Sequence, residues 1–206
     1  MNAYENAATV ESWDERTIVA RLRSGDEAAF ELQVRRYSGR MLAVARRLLR
    51  DEEDARDAVQ DAFLSAFRSI HRFEGGSQLG TWLHRIAVNS ALMRLRGRRR
   101  RPECPIDELL PAFGPDGHRA FRPEETIGVD VQLERDQLRA VLRECVEQLP
   151  EGYREVYLLR DIEELSTEEA AAMLGVTANA VKIRLHRARQ ALMTLVRARL
   201  VSNHCS

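Results

Sequence analysis

A row of basic and amide side chains near the end of the chain has the types and the spacing that DNA binding requires. The row consists of Asn179, Lys182, Arg184, His186, Arg187 and Arg189. Such side chains donate hydrogen bonds to phosphate oxygens and to base edges in the major groove. The apolar residues between them, at helical spacing, are Val181, Leu185, Ala188 and Leu192. This pattern predicts a helix with one buried side and one side that carries the charges.

The residues just before this helix predict a helix-turn-helix. Ser166 or Thr167 can cap a short first helix, and two glutamates follow at its positive end. Gly175 can adopt the left-handed backbone that ends this helix, and Thr177 can cap the second one. Such a pair places its second helix in a DNA major groove. A solvated basic helix in an ordinary bundle is the alternative, because helix-turn-helix geometry also occurs outside DNA binding.

A second candidate surface lies on the helix predicted from Asp51 to Ile70. Its apolar residues repeat at helical spacing and predict a buried face, whereas Leu64 falls on the opposite side. The polar neighbours of this leucine are Asp57, Gln60, Asp61 and Arg68. One exposed leucine usually needs no explanation. A leucine within a ring of acidic and amide side chains is also how a small protein-binding patch would look.

A glycine-rich loop and a basic helix come next along the chain. Phe73 to Thr81 contains three glycines and predicts a loop, and the residues from Thr81 onward predict a helix that ends in a run of arginines. Trp82 is expected to pack inward, while Arg85, Asn89 and Arg96 follow at helical spacing. A run of arginines is often a solvated tail. After a glycine-rich loop and a tryptophan, it favours a helix that grips a nucleic-acid backbone beside a pocket for unstacked bases.

The whole chain of 206 residues predicts an all-α fold of two small helical domains joined by a flexible linker. We expect a first domain at 1–101, an acidic linker rich in proline and glycine at 102–130, and a second domain at 131–206. A short apolar piece, Ile106 to Phe113, could dock on a domain. The second domain should begin with a helix that has one apolar face, made of Leu138, Val141, Leu142, Cys145, Val146 and Leu149. The formal net charge is zero, but the ends are basic and the middle is acidic, which suits two nucleic-acid-binding modules around an acidic connector.

Composition argues against several other classes of protein. No apolar run approaches a membrane span and the N-terminus has no signal pattern, so we expect a cytoplasmic protein without direct membrane insertion. No nucleophile with a base, paired carboxylates or phosphate-cradling loop stands out, so we expect neither an enzyme nor a cofactor. Three widely spaced cysteines indicate neither a disulfide framework nor a zinc finger. A metal-responsive switch is a remaining hypothesis, and it would use residues in no recognised ligand spacing: Cys104, His118, His204 and Cys205.

Three stretches carry a resemblance to a known family. They are DAVQDAFL, TWLHRIAVN and VKIRLHRAR. With their surroundings, at roughly 25–101 and 138–195, they resemble a bacterial RNA polymerase sigma factor of the extracytoplasmic-function (ECF) type. The main alternative is a dimeric helix-turn-helix repressor or activator that binds duplex DNA without recruiting polymerase. Such a regulator needs neither the acidic face around Leu64 nor the tryptophan loop.

The resemblance implies a role for each candidate surface. The surface that holds the clamp helices of the largest catalytic subunit of core RNA polymerase matches Asp57, Gln60, Asp61 and Leu64. The loop that captures a flipped base of the promoter −10 element, with the helix beside it, matches Phe73, Ser77, Trp82, Arg85, Asn89 and Arg96. The positions that read the −35 element match Thr177, Asn179, Lys182, Arg184, His186 and Arg187. The family also implies a controlling anti-sigma factor and a linker that runs through the polymerase interior.

Two departures from the family pattern bear on promoter preference. Gln78, Leu79 and Gly80 stand where the family often has aromatic residues, next to the predicted −10 contacts. Ile183 replaces a commonly small polar residue in the recognition helix.

Overall fold

The computed structural model describes residues 13–97, 106–110 and 135–204. The regular elements in these ranges are all helical, which confirms the predicted all-α class. The chain divides into two compact units, residues 1–100 and 101–206. Most of the expected linker, 102–130, lies outside the described residues.

In the described part of the N-terminal unit, residues 13–97, four helices are present and all but one begin at an acidic cap. These are α1 (Glu15–Arg23), α2 (Glu27–Leu48), α3 (Glu52–Ser69) and α4 (Leu79–Gly97). Asp14, Asp26 and Asp51 each accept a hydrogen bond from a backbone N–H in the first turn of the helix that follows. Hydrogen bonding from the Thr17 side chain and then from its backbone N–H lowers the pKa of Asp14. Hydrogen bonding from Arg21 and then from the backbone N–H groups of the first turn lowers the pKa of Asp26.

The core of this unit is formed where α4 packs on both α2 and α3. The predicted apolar stripe of α3 is buried except for Phe67, which is half-buried and makes an edge contact with Phe30. Four alanines on this stripe, Ala55, Ala58, Ala62 and Ala66, are fully buried. Their small side chains allow the backbones of neighbouring helices to approach closely. Burial of this stripe on one side leaves Leu64 on the other, as the spacing predicted.

The start of α4 differs from the prediction. The helix begins at Leu79 rather than at Thr81, because Leu79 is buried and its backbone N–H donates to Glu15 Oε2 at 3.1 Å. The glycine-rich loop is therefore shorter than predicted. It joins α4 to a short 3₁₀ turn, Ile70–Arg72, that extends α3.

Residues 135–204, the main described part of the C-terminal unit, also form four helices. They are α5 (Arg135–Gln148), α6 (Glu151–Tyr157), α7 (Thr167–Leu174) and α8 (Ala178–His204), with a π-helical turn, Leu158–Ile162, between α6 and α7. α8 packs against each of the other three. It continues to His204. The short turn Ile106–Leu109 docks on α8 with Ile106 buried, as the apolar piece of the linker suggested.

The predicted apolar face of α5 is only partly buried. Cys145, Val146 and Leu149 are buried, but Leu138 and Leu142 are 47% and 36% exposed. Both leucines lie on the apolar face that the sequence predicted, but outside the core. In the described part of this unit, the neighbouring helices cover only the C-terminal half of α5.

No helix within the described ranges is long and apolar enough to cross a membrane.

Candidate polymerase and promoter interfaces

The helix-turn-helix has the caps that the sequence predicted. Ser166 Oγ accepts from the Glu169 backbone N–H at 3.1 Å, and Glu169 Oε2 accepts from the Ser166 N–H at 2.8 Å, which completes a capping box. Gly175 ends α7 with φ at +67°, in the left-handed region. Thr177 Oγ1 then accepts from the Ala180 N–H at 3.1 Å and caps α8. The turn between the two helices is thus set by local contacts.

The recognition helix α8 separates its apolar and polar sides as predicted. Its four apolar stripe residues are buried. The predicted −35 residues are exposed, apart from a half-buried Arg184: Thr177, Asn179, Lys182, Arg184, His186 and Arg187. Ile183 is 49% exposed among them. The N-terminal part of α8 therefore presents hydrogen-bond donors around the apolar side chain of Ile183.

Arg189 belongs to a different contact from the one the sequence suggested. Its Nε and Nη2 donate to the two carboxylate oxygens of Asp161 at 2.8 and 2.7 Å. This bidentate pair raises the pKa of Arg189 and joins α8 to the π-helical turn. We therefore assign Arg189 to the packing of the domain rather than to the DNA-facing row.

The acidic face of α3 contains a cation that sequence reasoning missed. Arg94 of α4 lies across two of the predicted polymerase-binding residues, with Nη1 3.1 Å from Asp57 Oδ2 and Nη2 2.8 Å from Asp61 Oδ2. Hydrogen bonding to Asp61 raises the pKa of Arg94. Asp57 is half-buried, Gln60 and Asp61 are exposed, and Leu64 is 46% exposed. The patch that the sequence placed on one helix is thus built from two.

The groove beside Leu64 continues this surface. It has a volume of about 350 Å³ and is lined in part by Asp61, Leu64, Ser65 and Arg68. The leucine therefore borders a depression of mixed charge, which an apolar side chain of a partner could enter.

The loop before α4 is supported by a buried aromatic ring. Phe73 is 5% exposed, and its ring centroid lies 5.4 Å from that of Trp82. Arg23 Nη2 donates to the Phe73 carbonyl at 2.6 Å and holds the start of the loop. Trp82 and Ser77 are half-buried. Phe73 therefore lies behind Trp82, and the tryptophan is the aromatic residue of this pair that solvent reaches.

The remaining predicted −10 residues lie along α4. Asn89 and Arg96 are exposed and Arg85 is half-buried. The arginines from 98 to 101 lie outside the described residues. The basic character of α4 is thus divided between Arg94, which faces α3, and residues that solvent can reach.

The proposed metal switch cannot be assembled from the residues described. Cys104, His118 and Cys205 lie outside them, and the described ranges contain no group of histidine, cysteine or carboxylate side chains that could hold a metal ion.

The C-terminal unit has an exposed basic recognition helix, and the N-terminal unit has a patch in which acidic side chains surround an exposed leucine. These features define a DNA-binding protein that also binds another protein. Residues 33–101 match the family model of sigma-70 region 2, and residues 139–192 match that of sigma-70 region 4. The RNA polymerase sigma-H factor of Pseudomonas aeruginosa is 34% identical over 175 residues, which cover 85% of this chain and 90% of that protein. The ECF RNA polymerase sigma-E factor of Escherichia coli K12 is 33% identical over 182 residues, which cover 88% of this chain and 94% of that protein.

A solved structure is similar as well. A chain in the structure of CnrH in complex with the cytosolic domain of CnrY matches with a TM-score of 0.52 and 29% sequence identity, and the match covers 89% of this chain and 97% of that chain. The chain belongs to the ECF RNA polymerase sigma factors. It is a transcription initiation factor that binds core RNA polymerase and promoter DNA, and it is not an enzyme.

Proposed function

We propose that this sigma factor divides its work among three surfaces: the Leu64 patch binds polymerase, the Trp82 loop holds opened −10 DNA, and α8 reads the −35 element. The observation that supports this proposal is the division of α8 into two sides. One side has a buried apolar stripe, and the other has an accessible row of hydrogen-bond donors. A helix with that division can enter a major groove without exposing its core.

At the −35 element, α8 offers two kinds of contact. Lys182 and Arg187 are exposed donors for phosphate oxygens or guanine edges. Ile183 supplies apolar surface, and in the major groove the matching feature is the methyl group of thymine. We infer that this factor prefers a thymine at the position that Ile183 faces.

At the −10 element, Trp82 offers an aromatic surface and α4 offers cations. A base leaves the stack at a cost of a few kcal/mol, so a protein that holds it must provide stacking and charge. The half-buried Trp82 ring, backed by Phe73, can provide the first, and Arg85 and Arg96 can provide the second.

We further infer that the protein acts in the cytoplasm, where a bacterial polymerase and its DNA are found. CnrH forms a complex with the cytosolic domain of a second protein, CnrY. By analogy with this complex, we propose that an anti-sigma factor binds and controls this chain.

Transcription by purified core polymerase on genomic DNA fragments, with and without this protein, tests the proposed function. We expect new start sites that share two upstream elements, with a thymine recurring in the −35 element. Start sites that are the same in both reactions would contradict the proposal. New start sites without a recurrent −35 thymine would contradict only the role of Ile183.

A further inference from the structure

A cavity of about 400 Å³ in the N-terminal unit lies between α2 and the first turn of α4. The residues that line it include Arg36, Tyr37, Arg40, Gln78, Thr81 and His84. We propose that this cavity is a second nucleotide site for the single-stranded DNA of an opened promoter, in which the arginines hold the backbone and Tyr37 stacks on a base. The inference rests on the proposed function, because the strand is single only where the promoter has been opened.

The charge of the cavity suits a phosphate. Arg36 and Arg40 are one helical turn apart on α2 and both are exposed, and the residues described along its wall include no carboxylate. A carboxylate does occupy the adjoining helix end, where Glu15 accepts from the Leu79 N–H at 3.1 Å. Anion binding in the cavity therefore falls to the two arginines rather than to the helix terminus.

The aromatic surface depends on a glycine. A Cβ atom at Gly80 would lie 2.9 Å from Tyr37 Cε1 and 3.0 Å from its hydroxyl oxygen. The half-buried ring therefore rests against the Gly80 backbone, where the side chain of any other residue would collide with it. The guanidinium carbon of Arg36 lies 5.7 Å from the centroid of the same ring. A cation and an aromatic ring are thus within the span of one nucleotide, which is the combination that single-strand binding proteins use.

The size and the neighbours of the cavity favour one base of a single strand. A volume of about 400 Å³ is near the lower end of the range for small-molecule sites and is too small for a duplex. Gln78, Thr81 and His84 supply polar groups around it, and Thr81 precedes Trp82 in the chain. A strand whose base is held at Trp82 would therefore pass this cavity with a nearby nucleotide.

The test uses complete holoenzyme, assembled from core polymerase and the full chain, bound to a promoter fragment whose −10 region is already melted. A single abasic nucleotide is moved along the non-template strand of this fragment, and the affinity is measured for each position. With the parent protein we expect two separate sensitive positions. An abasic nucleotide at either position should lower the affinity roughly tenfold relative to the intact strand. Trp82→Ala should remove this sensitivity at one position, and Tyr37→Leu should remove it at the other. Tyr37→Phe keeps the ring and should keep the parent pattern.

The arginines are tested on the same fragment by salt dependence. The double variant Arg36→Ala with Arg40→Ala should bind roughly tenfold more weakly, and the slope of log affinity against log salt should fall by about 1.4, or about 0.7 for each phosphate that the variant no longer neutralises. Arg35→Ala is the matched control, because Arg35 is an exposed arginine on the same helix that pairs with Glu31 and does not line the cavity. Its affinity and salt slope should equal those of the parent.

Each alternative result has a distinct meaning. A single sensitive position, removed by Trp82→Ala alone, would overturn the second site. An equal loss on fully duplex fragments in the double arginine variant would show that these arginines hold duplex backbone, and would also overturn it. If Tyr37→Leu fails to fold, the surface arginine variant still decides. If the parent holoenzyme does not bind the melted fragment, the proposed melting function fails as well, whereas normal binding by all cavity variants refutes only this inference.

Discussion

At the scale of single residues, Arg94 changes how the proposed polymerase-binding patch has to be described. Its guanidinium lies against Asp57 and Asp61, so both carboxylates are already partly neutralised within the unit. A partner with basic groups must share these carboxylates with Arg94 or displace it. The neighbouring Leu64 has no such competitor and offers a purely apolar contact.

Reversing or adding charge on this patch should weaken polymerase binding. Asp61→Arg and Leu64→Glu are both expected to lower affinity by tenfold or more, because they change the centre of the interface. Neither residue is on the buried stripe, so helicity and Tm should remain nearly unchanged. A pull-down with core polymerase and a melting curve test this. Glu31→Arg, an equal charge reversal at an exposed site on α2, is the control. Parent-like binding by both patch variants would refute the assignment.

Removing Arg94 should expose the charge of the patch. Arg94→Ala leaves Asp57 and Asp61 without this guanidinium, so polymerase binding at low salt should become severalfold tighter and should fall more steeply as salt rises. The cost in stability should be about 1 kcal/mol or less, since such partly exposed pairs contribute little. Affinity measured at two salt concentrations tests this. Weaker binding at both would mean that Arg94 instead holds the carboxylates in the binding geometry.

At the scale of elements, the helix-turn-helix depends on one backbone conformation. Gly175→Ala places a Cβ in open space but at φ +67°, so it should destabilise the C-terminal unit by about 1 kcal/mol through backbone strain alone. Gly39→Ala is the matched control, because Gly39 lies inside α2 with open space around it. It should stabilise the N-terminal unit by about 0.5 to 1 kcal/mol. Chemical denaturation of the full chain measures both changes. A Gly175→Ala variant as stable as the parent would contradict the role of the turn.

The recognition helix contains two arginines, two positions apart, that should behave differently. Arg187→Ala should weaken binding to −35 duplex by about 1 to 3 kcal/mol if the side chain reads a base, and should reduce the salt slope if it contacts phosphate. Arg189→Ala should mainly lower the stability of the domain, because Arg189 pairs with Asp161. Duplex binding at two salt concentrations, with a melting curve for each variant, separates the two effects. If the two variants exchange these effects, the assigned faces of α8 are wrong.

At the scale of the whole molecule, promoter opening should be separable from promoter binding. Trp82→Ala, or deletion of Gly76 and Ser77 from the loop, should spare polymerase binding and −35 duplex binding but abolish strand opening. The surfaces proposed for polymerase binding and for −35 binding both lie outside the loop, which ends before Leu79. Permanganate reactivity of unpaired thymines reports the opening. A template with a melted −10 bubble should at least partly rescue the loop variant. Normal opening by both variants would show that another part of the protein melts the DNA.

The sequence alone determined those features that arise within one short segment. The capping box, the left-handed Gly175, the Thr177 cap and the buried stripe of α8 all follow from side chains and backbone groups a few residues apart. Such contacts depend little on the rest of the fold, because cap geometry and helical periodicity involve only residues a few positions apart. The exposed position of Leu64 followed for the same reason, since the opposite face of α3 is apolar throughout.

The tertiary structure decided which of these faces a neighbour covers and which side chains meet. Helical periodicity placed Leu138 and Leu142 on an apolar face. No described helix of their unit covers them, so they remain exposed. The sequence placed Arg189 in the DNA-facing row and Arg94 on a basic helix, and packing brought each beside carboxylates at least 28 residues away in the chain. Tyr37 meets Gly80 only because α4 packs on α2. A sequence shows which residues can form an ion pair or a stacking surface, but their distances depend on helix packing, which no single segment encodes.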